Sequence, residues 1–156
     1  MFTIIFPVLN ERLRLENGVT RTVEYLQSIA FEDYEIIIVD NGSEDETPQI
    51  AENLCKKYDK VKYERINVRG VGAAFRRGVK VSHGDVVGYM DIDLSTNIRH
   101  LGEAIHLFET QPEIQYINGS RFASATCRKN SNVPFGVFWT VRQASALFTE
   151  NHAVRA

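Results

Sequence analysis

Short apolar runs alternate along this chain with longer segments of helical period. Phe2 to Val8, Glu35 to Val39, Val61 to Arg65, Val86 to Met90 and Gln115 to Asn118 have the length of strands. Between the first runs, Val19, Val23, Leu26 and Ala30 keep to i, i+3, i+4 or i+7 spacing, as do Ile50, Ala51 and Leu54. Val71, Ala74, Phe75 and Gly78 form a third stripe, and Leu101, Ala104, Ile105 and Phe108 a fourth. Each stripe gives a helix one apolar face. Strands alternating with such helices predict a mainly parallel sheet covered on both faces, a three-layer α/β/α sandwich. Ser43-Glu44-Asp45-Glu46 fits a capping box at the start of the second helix, with Pro48 tolerated in its first turn.

Composition narrows the class. At 156 residues and 17.8 kDa the chain has the size of one domain. Hydrophobic residues at 44% and charged residues at 24% are ordinary globular values. A formal net charge of -2 argues against broad nucleic-acid binding. Cys55 and Cys127 lack metal or redox spacing and read as reduced thiols of a cytosolic protein. The four histidines lack zinc spacing. The chain opens directly on an apolar strand, and no apolar run approaches the roughly 20 residues that span a bilayer. The expectation is a cytoplasmic protein, with peripheral contact at a membrane face left open.

Polar residues then gather at the predicted strand ends. The first strand runs into Pro7-Val8-Leu9-Asn10-Glu11, the second into Asp40-Asn41-Gly42-Ser43 and the fourth into Asp91-Ile92-Asp93. After the third comes Asn67-Val68-Arg69-Gly70-Val71-Gly72. Open α/β sheets bind ligands beyond the carboxyl ends of their strands, so four polar exits on one edge point to a site. Asp91 and Asp93 project to one face of an extended chain, and their mutual repulsion needs compensation. A divalent cation with oxygen ligands supplies it and carries a diphosphate on its far side. The alternative is a solvated turn, with Ser95 and Asn97 opening the next helix. Gly70-Val71-Gly72-Ala73-Ala74-Phe75 has Phe75 where a dinucleotide fingerprint needs glycine, and it follows the third strand, not the first. No Walker A motif is present.

These segments together resemble glycosyltransferase family 2, the nucleotide-sugar-dependent transferases of GT-A fold, and within it the dolichyl-phosphate mannose or glucose synthases. The resemblance lies in Phe6 to Glu11, Ile37 to Thr47, Asn67 to Gly78, Met90 to Ser95 and Gly119-Ser120-Arg121, in the family's order and intervals. It covers roughly residues 1–121, a nucleotide-sugar-binding core, and implies a role for each matched position. Pro7, Leu9 and Glu11 match the segment lining base and ribose. Asp40 matches an acid contacting base or ribose, and Asn41 stands where many members carry a second aspartate. Asp91 and Asp93 match the acids that hold the ribose and a diphosphate bound through Mg²⁺ or Mn²⁺. Arg69 lies in a loop that often brings a basic residue to the donor. Arg121 matches an arginine on the acceptor side, where a guanidinium grips phosphate oxygens bidentately. The implied reaction moves a sugar, with inversion, from a nucleotide diphosphate to an acceptor of the polyprenyl phosphate kind. Asp93 and Arg121 are its expected catalytic residues.

The pattern departs after Arg121. Family members continue for many tens of residues, whereas this sequence ends at Ala156. Residues 122–156 form a divergent or truncated segment in which Phe138, Val141, Ser145 and Phe148 predict one last amphipathic helix over 137–149. Its aromatic residues Phe135, Phe138 and Trp139 suit the core, a homo-oligomer contact or a membrane-facing patch. Arg128, Lys129 and Arg142 would add attraction to anionic headgroups. A non-catalytic nucleotide-sugar-binding module, with its acceptor half lost or supplied by a partner, is the competing expectation. A nucleotidyltransferase is a weaker third, because Asn10-Glu11-Arg12 replaces the glycine- and lysine-containing motif such enzymes carry after the first strand.

Overall fold

A computed structural model describes residues 1–95, 97–120, 133–134 and 139–142. In chain order the elements are β1 (Phe2–Val8), α1 (Leu15–Ser28), β2 (Tyr34–Asp40), α2 (Thr47–Lys57), β3 (Val61–Arg65), α3 (Val71–Val81), β4 (Val86–Tyr89), α4 (Arg99–Thr110), β5 (Tyr116–Ser120), β6 (Val133–Pro134) and β7 (Trp139–Arg142). The sheet runs β3-β2-β1-β4-β7-β5-β6. Strands β3, β2, β1 and β4 are mutually parallel, while β7 lies antiparallel between β4 and β5.

The alternation along β1 and β2 explains the three layers. Ile4, Phe6, Ile36 and Ile38 point to one face, where Leu15, Val19 and Leu26 of α1, Ala51 and Leu54 of α2, and Leu101 and Ile105 of α4 cover them. Ile5, Ile37, Val39 and Val87 point to the other and meet Ala74 and Val79 of α3. Strands buried on both faces need unbroken apolar runs, and Ile36-Ile37-Ile38-Val39 is one.

Three sequence expectations are corrected. The last residue of the first stripe, Ala30, lies beyond α1 with φ 54°. Its N–H donates to the Gln27 carbonyl at 3.0 Å and that of Phe31 to Leu26 at 3.0 Å, a Schellman closure that puts a non-glycine residue in the left-handed position. The capping box does not form: Glu46 is the cap residue of α2, and no side chain caps the helix. The helix predicted over 137–149 is a strand at Trp139–Arg142. There Trp139, Thr140, Val141 and Arg142 pair with Tyr89, Gly88, Val87 and Val86. An aromatic next to two β-branched residues suits a sheet, and the otherwise open edge of β4 outweighs the helical period. The remainder of that predicted helix lies outside the described residues.

Register sets the working edge. Val8 pairs with Asp40 and Ile5 with Tyr89. The Met90 N–H still donates to the Ile5 carbonyl at 3.1 Å, so Asp91 emerges level with Pro7. Asp40 and Asp91 therefore stand at the same carboxyl edge.

Candidate functional site

Three loops rise from that edge and are knitted together by polar side chains. After β1, Asn10 takes φ 56°, a left-handed conformation that asparagine tolerates. Its N–H donates to Ser43 Oγ at 2.9 Å, and its Oδ1 accepts from the Glu44 N–H at 2.9 Å. The Glu11 N–H donates to Thr47 Oγ1 at 2.8 Å, and the Arg12 guanidinium pairs with Glu46 at 3.0 Å. Asp45 Oδ1 accepts the Thr47 N–H at 2.9 Å. The residues that resembled a capping box are thus spent on clamping the β1–α1 loop to the β2–α2 loop. Arg69 brings in the third loop, pairing with Glu44 at 3.1 Å.

Asp40 lies beneath this mesh with no exposed surface. Its Oδ1 accepts the Ser43 N–H at 2.7 Å and its Oδ2 the Tyr63 hydroxyl at 2.8 Å. The Arg65 guanidinium approaches Oδ2 at 3.6 Å and donates to the Ser43 carbonyl at 2.9 Å. Burial, then the Asp40 carboxylate, pushes the Tyr63 hydroxyl up to about 12. In this conformation Asp40 ties the turn and offers no exposed oxygen to a ligand. Asn41 is likewise buried: its Nδ2 donates to the Val8 carbonyl at 3.3 Å, while its Oδ1 has no partner. A buried acceptor left unpaired costs about 1–3 kcal/mol, so it marks a place where a donor is wanted.

The remaining predicted residues sit around these. Pro7 is half-buried in β1, and Leu9 is exposed at the rim. The Glu11 carboxylate is held by Arg14 Nε at 2.7 Å. Asp91 is half-buried and Asp93 exposed, where its Oδ1 accepts the Ser95 N–H at 2.9 Å. Arg121, with Arg128 and Lys129, lies outside the described residues. Among the described residues no group of three acid, histidine or cysteine side chains forms a metal cage, and no helix is long and apolar enough to cross a membrane. Two carboxylates at one strand end still suit Mg²⁺ or Mn²⁺, which take one or two carboxylates and leave other positions to water and substrate phosphates.

Sequence reasoning missed Tyr63 and Arg65, although their i, i+2 spacing on the third strand put both on one face beside Asp40. It also gave Ser43 and Glu46 local duties where the structure gives them long-range ones.

Comparison with known proteins agrees with this geometry. The profile described as "Glycosyl transferase family 2" matches residues 3–151. Glycosyltransferase AglD of Haloferax volcanii is 35% identical over 122 residues, covering 77% of this chain and 19% of the relative. A dolichol-phosphate mannosyltransferase of Pyrococcus furiosus is 33% identical over 133 residues, covering 85% and 36%. The chain therefore spans only a part of the curated relatives it matches. Among solved structures, the mannosyltransferase PcManGT of Pyrobaculum calidifontis, in complex with GDP-Man and Mn²⁺, superposes with a TM-score of 0.64 at 14% identity, covering 90% of this chain and 44% of that one. Glucosyl-3-phosphoglycerate synthase of Mycobacterium tuberculosis, in complex with Mn²⁺, UDP and glucosyl-3-phosphoglycerate, gives 0.60 at 23% identity, covering 77% and 43%. At such identities the likeness is one of fold, the parallel sheet with flanking helices of the GT-A transferases. Profile, relatives and fold agree: the chain belongs to glycosyl transferase family 2.

Proposed function

We propose that this chain acts as a glycosyltransferase that moves a sugar from a nucleoside diphosphate to a polyprenyl phosphate, with inversion. The observation that carries the reading is the gathering of Glu11, Asp40, Asn41, Arg69 and Asp91 onto one knitted carboxyl edge, with Asp93 exposed beside them. Pro7, Leu9 and Glu11 line the base and ribose. Asp40 and Asn41 hold the turn that frames them. Asp91 and Asp93 would hold Mg²⁺ or Mn²⁺, which when bound offsets charge on the departing diphosphate. Arg69 adds a cation on the same side.

The acceptor assignment draws support from the names of the relatives, among them a dolichol-phosphate mannosyltransferase and a mouse dolichyl-phosphate beta-glucosyltransferase 36% identical over 101 residues. It is also chemically economical. A phosphate oxygen is already anionic, so attack on the anomeric carbon needs no general base. Arg121 orients that phosphate through its planar fork. A lipid-linked acceptor brings the chain to the cytoplasmic membrane face, where Arg128, Lys129 and Arg142 are each worth about 1 kcal/mol against anionic headgroups.

A second reading is a nucleotide-sugar-binding module that works only with a partner. Single-turnover transfer from a panel of nucleotide sugars to short polyprenyl phosphates, run at low and high protein concentration beside a molar-mass measurement, separates the two. Transfer that appears only in an oligomer or with an added subunit supports the module; transfer by a dilute monomer supports the complete enzyme. Donor binding without transfer under any condition overturns the catalytic assignment.

A further inference from the structure

The loop bearing Asp91 and Asp93 is pressed against α1 at a single glycine. A Cβ on Gly18 would lie 2.3 Å from the Ile92 carbonyl oxygen and 2.7 Å from Ile92 Cδ1. The first of these neighbours is backbone and cannot swing aside. Glycine weakens a helix relative to alanine, so its presence in the first turn of α1 calls for a reason. Close approach supplies one. Gly18 is itself fixed, its N–H donating to the Arg14 carbonyl at 2.8 Å and its carbonyl accepting the buried Thr22 hydroxyl at 2.8 Å. Ile92 is 4% exposed and sits in the same core cluster as Leu15 and Val19.

Ile92 stands between the two acids, and the loop is held on both sides of it. Upstream, the Met90 N–H bonds to the Ile5 carbonyl at 3.1 Å. Downstream, Leu94 takes φ 50°, a left-handed conformation strained for leucine, with its N–H donating to the Asp91 carbonyl at 3.2 Å. The helix that receives Ile92 also continues directly from the β1–α1 loop: the N–H groups of Arg14 and Leu15 both donate to the Glu11 carbonyl at 2.9 Å.

We infer that Gly18 and Ile92 are positioning residues that set Asp91 and Asp93 at a fixed height against the loop carrying Leu9 and Glu11, so that the two sides of the donor site share one anchor. The inference rests on the donor-site reading above. Its test is titration of UDP and of GDP into the full chain with and without Mn²⁺, at a temperature well below each variant's Tm. Gly18→Ala should cut the Mn²⁺-dependent gain in affinity about tenfold, since an active group displaced by about 1 Å loses most of its effect. Hydrogen exchange at the Leu94 amide should quicken in the same variant. Ile92→Val, which trims the wedge and keeps the fold, should give a smaller loss of the same kind and decides the matter if Gly18→Ala does not fold. Gly84→Ala is the control: its Cβ would meet Thr3 Oγ1 at 2.5 Å and the Met1 carbonyl oxygen at 2.9 Å at the opposite edge of the sheet, so it should lower Tm and leave the Mn²⁺-dependent gain intact. Unchanged gain in both Gly18→Ala and Ile92→Val overturns the inference, as does an equal loss in Gly84→Ala. No Mn²⁺-dependent binding of either nucleotide by the unmodified chain would instead remove the donor-site reading, and this inference with it.

Discussion

Replacing Asp40 separates its structural work from any part in binding. The carboxylate accepts two well-formed hydrogen bonds, from the Ser43 N–H at 2.7 Å and the Tyr63 hydroxyl at 2.8 Å, with no surface of its own exposed. Bonds to a charged acceptor contribute about 1.5–3 kcal/mol each. The Arg65 arm is 3.6 Å away on a side chain 45% exposed, so solvent screens it to about 0–1 kcal/mol. Asp40→Ala removes both bonds and leaves the Ser43 N–H orphaned, a loss of about 4 kcal/mol. Asp40→Asn keeps an acceptor for Ser43, and the Tyr63 hydroxyl can turn to accept from the new amide. That variant should lose about 1–2 kcal/mol, the difference between charged and neutral bonds. Urea denaturation at unchanged m-value measures both. A second readout is alkaline. The raised Tyr63 hydroxyl stabilises the fold fully below its ordinary value of 10.0, and that contribution is lost as pH rises toward about 12. Asp40→Asn should narrow the window, because burial alone then holds the proton. An Asp40→Ala protein within about 1 kcal/mol of the parent would refute the strut, since neither bond could then carry its expected weight.

Three further outcomes follow from the same geometry. Asp93→Asn should abolish Mn²⁺-dependent donor affinity while shifting stability by less than about 0.5 kcal/mol, because the side chain is exposed and asparagine still accepts the Ser95 N–H. Glu35→Gln, at the opposite edge of the sheet, should cost about 3 kcal/mol without touching donor binding. There the buried carboxylate accepts from Thr3 at 2.8 Å, the His83 N–H at 2.6 Å and Lys62 at 2.7 Å. Burial alone would raise its pKa, but these donors outweigh burial and lower it, so its contribution is present above 4.5 and lost as pH falls below. Acid titration of parent and Glu35→Gln should therefore converge at low pH. Arg121→Lys should lose transfer in single-turnover assays yet keep the donor Kd, since a lysine keeps the charge but not the bidentate fork.

Strands β1, β2 and β4 were legible because burial on both faces demands apolar runs such as Ile36 to Val39, bounded by polar exits. The site edge was legible for a related reason: Asp40 and Asp91 follow those runs without a gap or across a single residue. Polar contacts over long separations were not. Ser43 and Glu46 satisfy the spacing of a capping box, and no local signal shows that Asn10 and Arg12, more than thirty residues earlier, claim them instead. Trp139 to Arg142 misled in the opposite way, since a helical period of four residues cannot reveal the open edge of β4. Gly18 went unnoticed because a glycine's reason is its neighbour, here the Ile92 carbonyl, which only the fold supplies.

The central claim is that the knitted carboxyl edge binds a nucleoside diphosphate through Asp91 and Asp93. Calorimetric titration of UDP and GDP, each with Mn²⁺, with Mg²⁺ and with chelator, tests it most directly. The account predicts that one nucleotide binds with a divalent ion, loses at least about tenfold in affinity (about 1.4 kcal/mol) with chelator, and loses the same in Asp93→Asn. Affinity that is equal with metal and with chelator, or unaltered in Asp93→Asn, would contradict it.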